Sequence, residues 1–169
     1  MLFRSEAGCN PVVVVTGAHE AAVRTALGEL PIHMAVNARW QDGIGTSIQT
    51  GLAALDAEDV EAAVLMLADQ VLVGPRRLRE LVDTQRTSGA PIVAASYAGT
   101  VGVPACFARS AFPHLLALGP TAGCKGVILA HIEEAVLVPC PEAEADVDTP
   151  DDLARLEGDA AADTSTRRT

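Results

Sequence analysis

Three groups of residues in this sequence have the types and spacing that chemistry requires. Asp69 closes the apolar run Ala62 to Ala68. A carboxylate at the carboxyl end of a buried strand sits where open α/β sheets bind ligands, although an aspartate there can equally cap the following loop. Asp146 and Asp148 stand just before Thr149-Pro150. On an extended backbone they point to the same side, about two rises of 3.3 Å apart. Their simpler role is to sit on the positive end of the next helix. Taken together, separated carboxylates at the ends of neighbouring strands suit an oxygen-ligated Mg²⁺ held against substrate phosphates. The third group is Gly43-Ile44-Gly45-Thr46-Ser47. It begins like a dinucleotide fingerprint, but Ile48 stands where the third glycine belongs and the tight strand–turn–helix geometry is missing. A glycine-rich helix entry still brings backbone N–H groups against a base or phosphate, or simply provides a loop with φ > 0.

The elements that must position these groups follow from the hydrophobic pattern. Val12 to Val15 is an apolar run closed by Thr16-Gly17 and reads as a buried strand. His19 to Leu30 has helical spacing, and Ile32 to Val36 is a second short strand. Thr46 or Ser47 caps a helix through Leu55. Ala62 to Ala68 is the most core-like strand, and Gly74-Pro75 opens a helix to about Ser88. Strands at Pro91–Tyr97 and Val103–Phe107 flank a turn over Ala98–Gly102. Ser110–Leu118 and Lys125–Ile132 read as helices, Ala135–Pro139 as a last strand, and Thr149-Pro150-Asp151-Asp152 as a helix start. Strands alternating with helices predict an α/β three-layer αβα sandwich with a mainly parallel sheet. Residues 1–156 are expected to form one domain, and 157–169 a flexible tail.

Composition narrows the function. Twelve Lys+Arg against 22 Asp+Glu leave a net charge of -10, and Lys125 is the sole lysine. No basic stripe exists to neutralise nucleic-acid phosphates, so a nucleic-acid partner is not expected. A small polyanion would have to be met by arginines, backbone N–H groups or a divalent cation. The four cysteines form no CxxC and the four histidines no HExxH, which argues against structural zinc and disulfides. The N-terminus has no apolar signal region and the longest apolar run is too short to span a bilayer, so a soluble cytoplasmic protein is expected.

Five segments then line up in order with a known pattern: Val12-Val13-Val14-Val15-Thr16-Gly17-Ala18-His19, Trp40-Gln41-Asp42-Gly43-Ile44-Gly45-Thr46-Ser47, Leu67-Ala68-Asp69-Gln70, Tyr97-Ala98-Gly99-Thr100-Val101-Gly102-Val103-Pro104, and Asp146-Val147-Asp148-Thr149-Pro150-Asp151-Asp152-Leu153. From about residue 9 to residue 156 the chain resembles the MobA/MocA-like nucleotidyltransferases, and more closely their molybdenum cofactor cytidylyltransferase side. The resemblance implies a GT-A-like Rossmann sandwich that transfers a nucleoside monophosphate from CTP or GTP to the phosphate of molybdopterin, with Mg²⁺. Carried over by position, Asp69 and Asp148 hold the metal and are the catalytic acids, with Asp146 in support. Gly45, Thr46 and Ser47 lie against the nucleotide. Tyr97, Gly99, Gly102 and Pro104 shape the pterin side, and Lys125 keeps a cationic contact. A molybdoenzyme or its chaperone is an implied partner.

The sequence departs from that pattern in its details. Val71 replaces a proline after Asp69-Gln70, and Gly119 to Lys125 carries an extra residue and lacks the usual aspartate. The family's opening strand and glycine-rich loop, Leu-Ala-Ala-Gly-x-Ser-x-Arg-x-Gly-x-x-Lys, have no counterpart here. One βα unit of roughly 30 residues is therefore expected to be absent. Since that loop cradles the triphosphate, impaired turnover is expected. The alternatives are a non-catalytic remnant that binds a nucleotide, a pterin or a partner protein, and a sugar or polyol phosphate nucleotidyltransferase.

Overall fold

The computed structural model describes residues 7–56, 59–145 and 149. The elements run β1 (Val13–Thr16), α1 (Glu20–Leu27), β2 (His33–Val36), α2 (Ile44–Asp56), β3 (Ala62–Leu65), α3 (Pro75–Ser88), β4 (Ile92–Tyr97), β5 (Thr100–Ala108), α4 (Phe112–Leu116), α5 (Cys124–Ala130) and β6 (Ala135–Pro139). Short 3-10 turns occupy Trp40–Asp42, Arg109–Ala111 and Pro141–Glu144. The mixed α/β architecture and mostly parallel sheet agree with the pattern-based expectation. α3 starts on Pro75, whose absent N–H costs nothing at a first helical position. It stops at Gly89, which takes φ 67° and returns its N–H to the Gln85 carbonyl.

The strands divide into two groups. β1 and β2 form a parallel pair with Val13 opposite His33. The other four run in the order β3-β5-β4-β6. β4 and β6 are parallel, while β5 is antiparallel to both β3 and β4. The antiparallel member comes from a hairpin tighter than the predicted 98–102 turn. β5 starts at Thr100, leaving only Ala98 and Gly99 at the tip, both at positive φ (47° and 71°) as a two-residue hairpin with matching twist requires. β3 ends earlier than its apolar run suggests. It stops at Leu65, and Met66 to Ala68 carry the chain outward to Asp69.

Successive residues of β4 pack on opposite layers. Ile92 and Ala94 join Phe107, Leu115 and Ile128 on the side of α4 and α5. Val93 packs with Leu81 of α3 and with Cys106 on the other face. A strand covered on both faces reads as an uninterrupted apolar run, and Ile92 to Ala95 are at most 1% exposed. Val13, Val14 and Val15 are as apolar, yet only half-buried. Between β1 and β3 lies a cavity of about 870 Å³ that both strands line. Among the described residues, no helix is long and apolar enough to cross a membrane.

Candidate functional site

The best-defined polar cluster is built on the end of β2 and the start of α2. Asn37 is 3% exposed and its carboxamide oxygen accepts the Arg39 N–H at 2.9 Å, forming a tight turn. Its Nδ2 donates to the Thr46 and Ser47 hydroxyls at 2.8 and 3.0 Å. The Thr46 hydroxyl also sits 3.0 and 2.8 Å from the carbonyls of Arg39 and Gly43. Thr46 is thus consumed by the scaffold, whereas Ser47 lines the cavity. Gly45 donates its N–H to the Pro120 carbonyl at 2.8 Å. A Cβ on Gly45 would run into the Gly119 carbonyl, and one on Gly43 would lie 2.7 Å from that of Pro120. These glycines let the first turn of α2 press against the 119–122 loop.

Asp69 stands just beyond β3, partly buried, and its Oδ1 is enclosed with no hydrogen-bond partner. Gln70 holds the turn that presents it. At 2% exposure, its Nε2 donates to the Val103 carbonyl at 2.9 Å and the Ala143 carbonyl at 3.2 Å. The same side chain therefore ties the turn after β3 to β5 and to the segment that leads into Asp146 and Asp148. Both of those aspartates lie outside the described residues, as does the helix start at Pro150. Nothing in the local pattern marks the Gln70 anchor beyond a polar residue directly after an acid that closes an apolar run.

A second clamp holds the same segment. Arg77 of α3 meets Glu142 at 2.7 Å and Glu80 at 2.6 Å. Burial pushes the Glu142 carboxyl up, but the hydrogen bond and charge of Arg77 bring it to a net position below the usual carboxylate range. The hydrogen bond to Glu142 chiefly raises Arg77. Burial drives the Cys106 and Cys124 thiols up to about 12 and about 11, so they stay protonated near neutrality and supply no nucleophile.

The residues assigned to the pterin side fall into distinct places. Tyr97 ends β4 with its hydroxyl against Gly102, where a Cβ would lie 2.5 Å away. Gly99 supplies the hairpin tip, and Pro104 is fully buried at the β4–β5 bulge. Tyr97, Gly102, Ser47 and the exposed Lys125 at the start of α5 share the rim of the large cavity; Gly45, Thr46, Gly99 and Pro104 do not line it.

Asp69 offers one partnerless carboxylate oxygen, an acceptor suited to a divalent cation, and that is the fit these residues provide. Among the described residues there is no group of three or more His, Cys, Asp or Glu side chains placed to hold a metal.

A mostly parallel α/β sandwich with an acid just beyond a strand and a polar helix entry has the parts of a nucleotide-handling α/β domain. The chain belongs to the MobA-like NTP transferase family, whose domain model matches residues 4–136. Rv0371c from Mycobacterium tuberculosis H37Rv is a structural neighbour at 26% identity and TM-score 0.71, covering 90% of this chain and 78% of its own. Its manganese complex aligns at 30% identity and TM-score 0.68, over 90% of this chain and 79% of that one. Molybdopterin-guanine dinucleotide biosynthesis protein A from Archaeoglobus fulgidus shares the fold at 19% identity and TM-score 0.60, over 89% and 78% of the two chains. No curated protein matches the chain. Nucleoside triphosphates are the substrates this family assignment supports.

Proposed function

We propose that this chain handles CTP or GTP with Mg²⁺ and passes the nucleoside monophosphate to the phosphate of molybdopterin. The observation that carries the reading is the enclosed, partnerless Asp69 carboxylate oxygen four residues beyond β3, on a turn fixed by Gln70. Asp69 and Asp148 hold the cation, with Asp146 beside them. The cation, when bound, offsets the charge that builds on the phosphates as pyrophosphate leaves. The chain's own residues orient the reactants. The first turn of α2 gives Ser47 to the nucleotide, with Gly45 and Thr46 shaping its backing through Asn37 and Pro120. Tyr97 and Gly102 bound the pterin side, Gly99 and Pro104 set the hairpin that carries them, and Lys125 faces the acceptor phosphate. A molybdoenzyme or its chaperone would receive the product.

Turnover by these 169 residues is expected to be slow. These residues hold no segment like the family's glycine-rich loop, and removing even one preorganised donor typically costs about 10²–10³ in rate. Thermal shifts of the chain with Mg-CTP and Mg-GTP test the binding half. One nucleotide should stabilise the protein, and Asp69→Ala and Asp148→Ala should each abolish that shift. Unchanged shifts in both variants sink the metal assignment. Pyrophosphate release with molybdopterin tests the transfer half: it should be weak, and restored when a strand and glycine-rich loop are joined upstream. Fast release by the short chain would overturn the account of the loop.

A further inference from the structure

His114 of α4 and His131, the residue that follows α5, meet ring to ring. The ring centres are 4.3 Å apart and the planes are tilted by 52°, so this is not a face-to-face stack. Both helices are anchored in one core, α4 through Phe112 and Leu115 and α5 through Val127 and Ile128. The His131 N–H reaches the Val127 and Ile128 carbonyls, each at 3.2 Å, and so closes α5. The pair is carried by fixed backbone, as a binding site requires.

The ring nitrogens are available for a ligand. His131 Nδ1 faces the Glu134 carboxylate at 3.5 Å. A carboxylate beside one ring nitrogen favours the tautomer with its proton there and leaves Nε2 as a bare, more basic donor. The His114 ring has no hydrogen-bond partner among the described residues. Both rings stand at the C-terminal ends of helices, where the carbonyls carry partial negative charge. The exposed Glu133 and Glu134 follow His131 directly, so the surroundings favour a cation.

The ring separation selects among cations. A metal-bound imidazole nitrogen lies about 2.0 Å from its ion, which sets the ring centre about 3.1 Å from it. Two such rings at right angles around one ion stand about 4.4 Å apart, and at the tetrahedral angle about 5.1 Å. The observed 4.3 Å fits the right angle of a tetragonal ion and not the tetrahedron that Zn²⁺ prefers. Imidazole suits the later first-row ions, whereas the Mg²⁺ assigned to Asp69 takes oxygen ligands.

We propose that His114 and His131 form a two-imidazole site for a tetragonal divalent ion, Cu²⁺ first and Ni²⁺ next by affinity order. No third His, Cys, Asp or Glu among the described residues completes the set, so water fills the remaining positions. An ion there would tie together the two helices that flank the 119–122 loop, on whose Pro120 carbonyl the Gly45 N–H rests.

Electron paramagnetic resonance of the full chain with one equivalent of Cu²⁺ tests the proposal. A tetragonal signal split by two imidazole nitrogens is expected. His114→Ala and His131→Ala should each remove the two-nitrogen splitting, while His19→Ala and His33→Ala leave it intact. Glu134→Gln should weaken binding about tenfold, the usual effect of losing a carboxylate behind a ligating histidine. In the unaltered chain, Ni²⁺ should broaden the ring signals of His114 and His131 before those of His19 and His33. A signal without nitrogen splitting, one that survives either alanine variant, or one lost with Cys9→Ser overturns the proposal. Displacement of Cu²⁺ by an equal concentration of Zn²⁺ overturns it as well. Because no nucleotide or Mg²⁺ is present, failure here and failure of the Mg-CTP response are separate results.

Discussion

β4 and β1 are both short and almost wholly apolar, yet the first four residues of one are fully enclosed and the other is half-open. Ile92 to Ala95 lie between β5 and β6 with helices on both faces. Val13 to Val15 have β2 on one side and the cavity on the other. The difference teaches that an apolar run specifies only that a strand wants covering; its neighbours decide whether it is covered. The open half of the sheet is also the half beside the candidate site, where Ser47, Tyr97 and Lys125 meet the cavity rim.

The comparison breaks most readily in unfolding experiments. Phe107→Ala, in the closed half, removes a fully buried ring and should cost about 3–5 kcal/mol. Val14→Ala, in the open half, should cost about 1 kcal/mol, since partly exposed methyl groups return less on burial. Equal losses in urea titrations would mean the two halves are packed alike. An effect smaller than that of Phe107→Ala is expected where α2 meets the 119–122 loop. Gly45→Ala drives a methyl group into the Gly119 carbonyl, which is backbone and cannot swing aside, so about 1–3 kcal/mol should be lost. The nucleotide-induced thermal shift should fall with it, because Ser47 moves with that turn.

The smallest effect belongs to the Arg77–Glu142 clamp. Glu142 has its carboxyl lowered in the fold from the ordinary 4.5. Its contribution is therefore complete above that value and is lost as the pH falls through the lower folded value. Glu142→Gln should lower Tm slightly at pH 7, by an amount corresponding to about 1 kcal/mol or less for this partly exposed pair. The gap from the parent should close on acidification below about pH 4. A gap that persists at pH 3 would show that the clamp holds by packing rather than charge.

Much of the layout was legible in the sequence because it is written locally. The apolar runs at Val12–Val15 and Ala62–Ala68, the proline at the start of α3 and the strand-end Asp69 all depend on residues close together in the chain. The hairpin tip, Ala98-Gly99, is shorter than the expected 98–102 turn by three residues. A two-residue turn with Ala98 at positive φ is paid for by the β4–β5 ladder rather than by local preference.

What the sequence determined by itself was the class of sheet and the order of its elements, since periodicity and capping act over a turn or two. Tertiary structure alone decided that Gly45 serves the 119–122 loop, that Gln70 reaches Ala143, and that β1 and β3 face each other across an open seam. Each of these joins segments far apart in the chain. Local pattern carries no record of which strand stands beside which, or of the space between two strand edges.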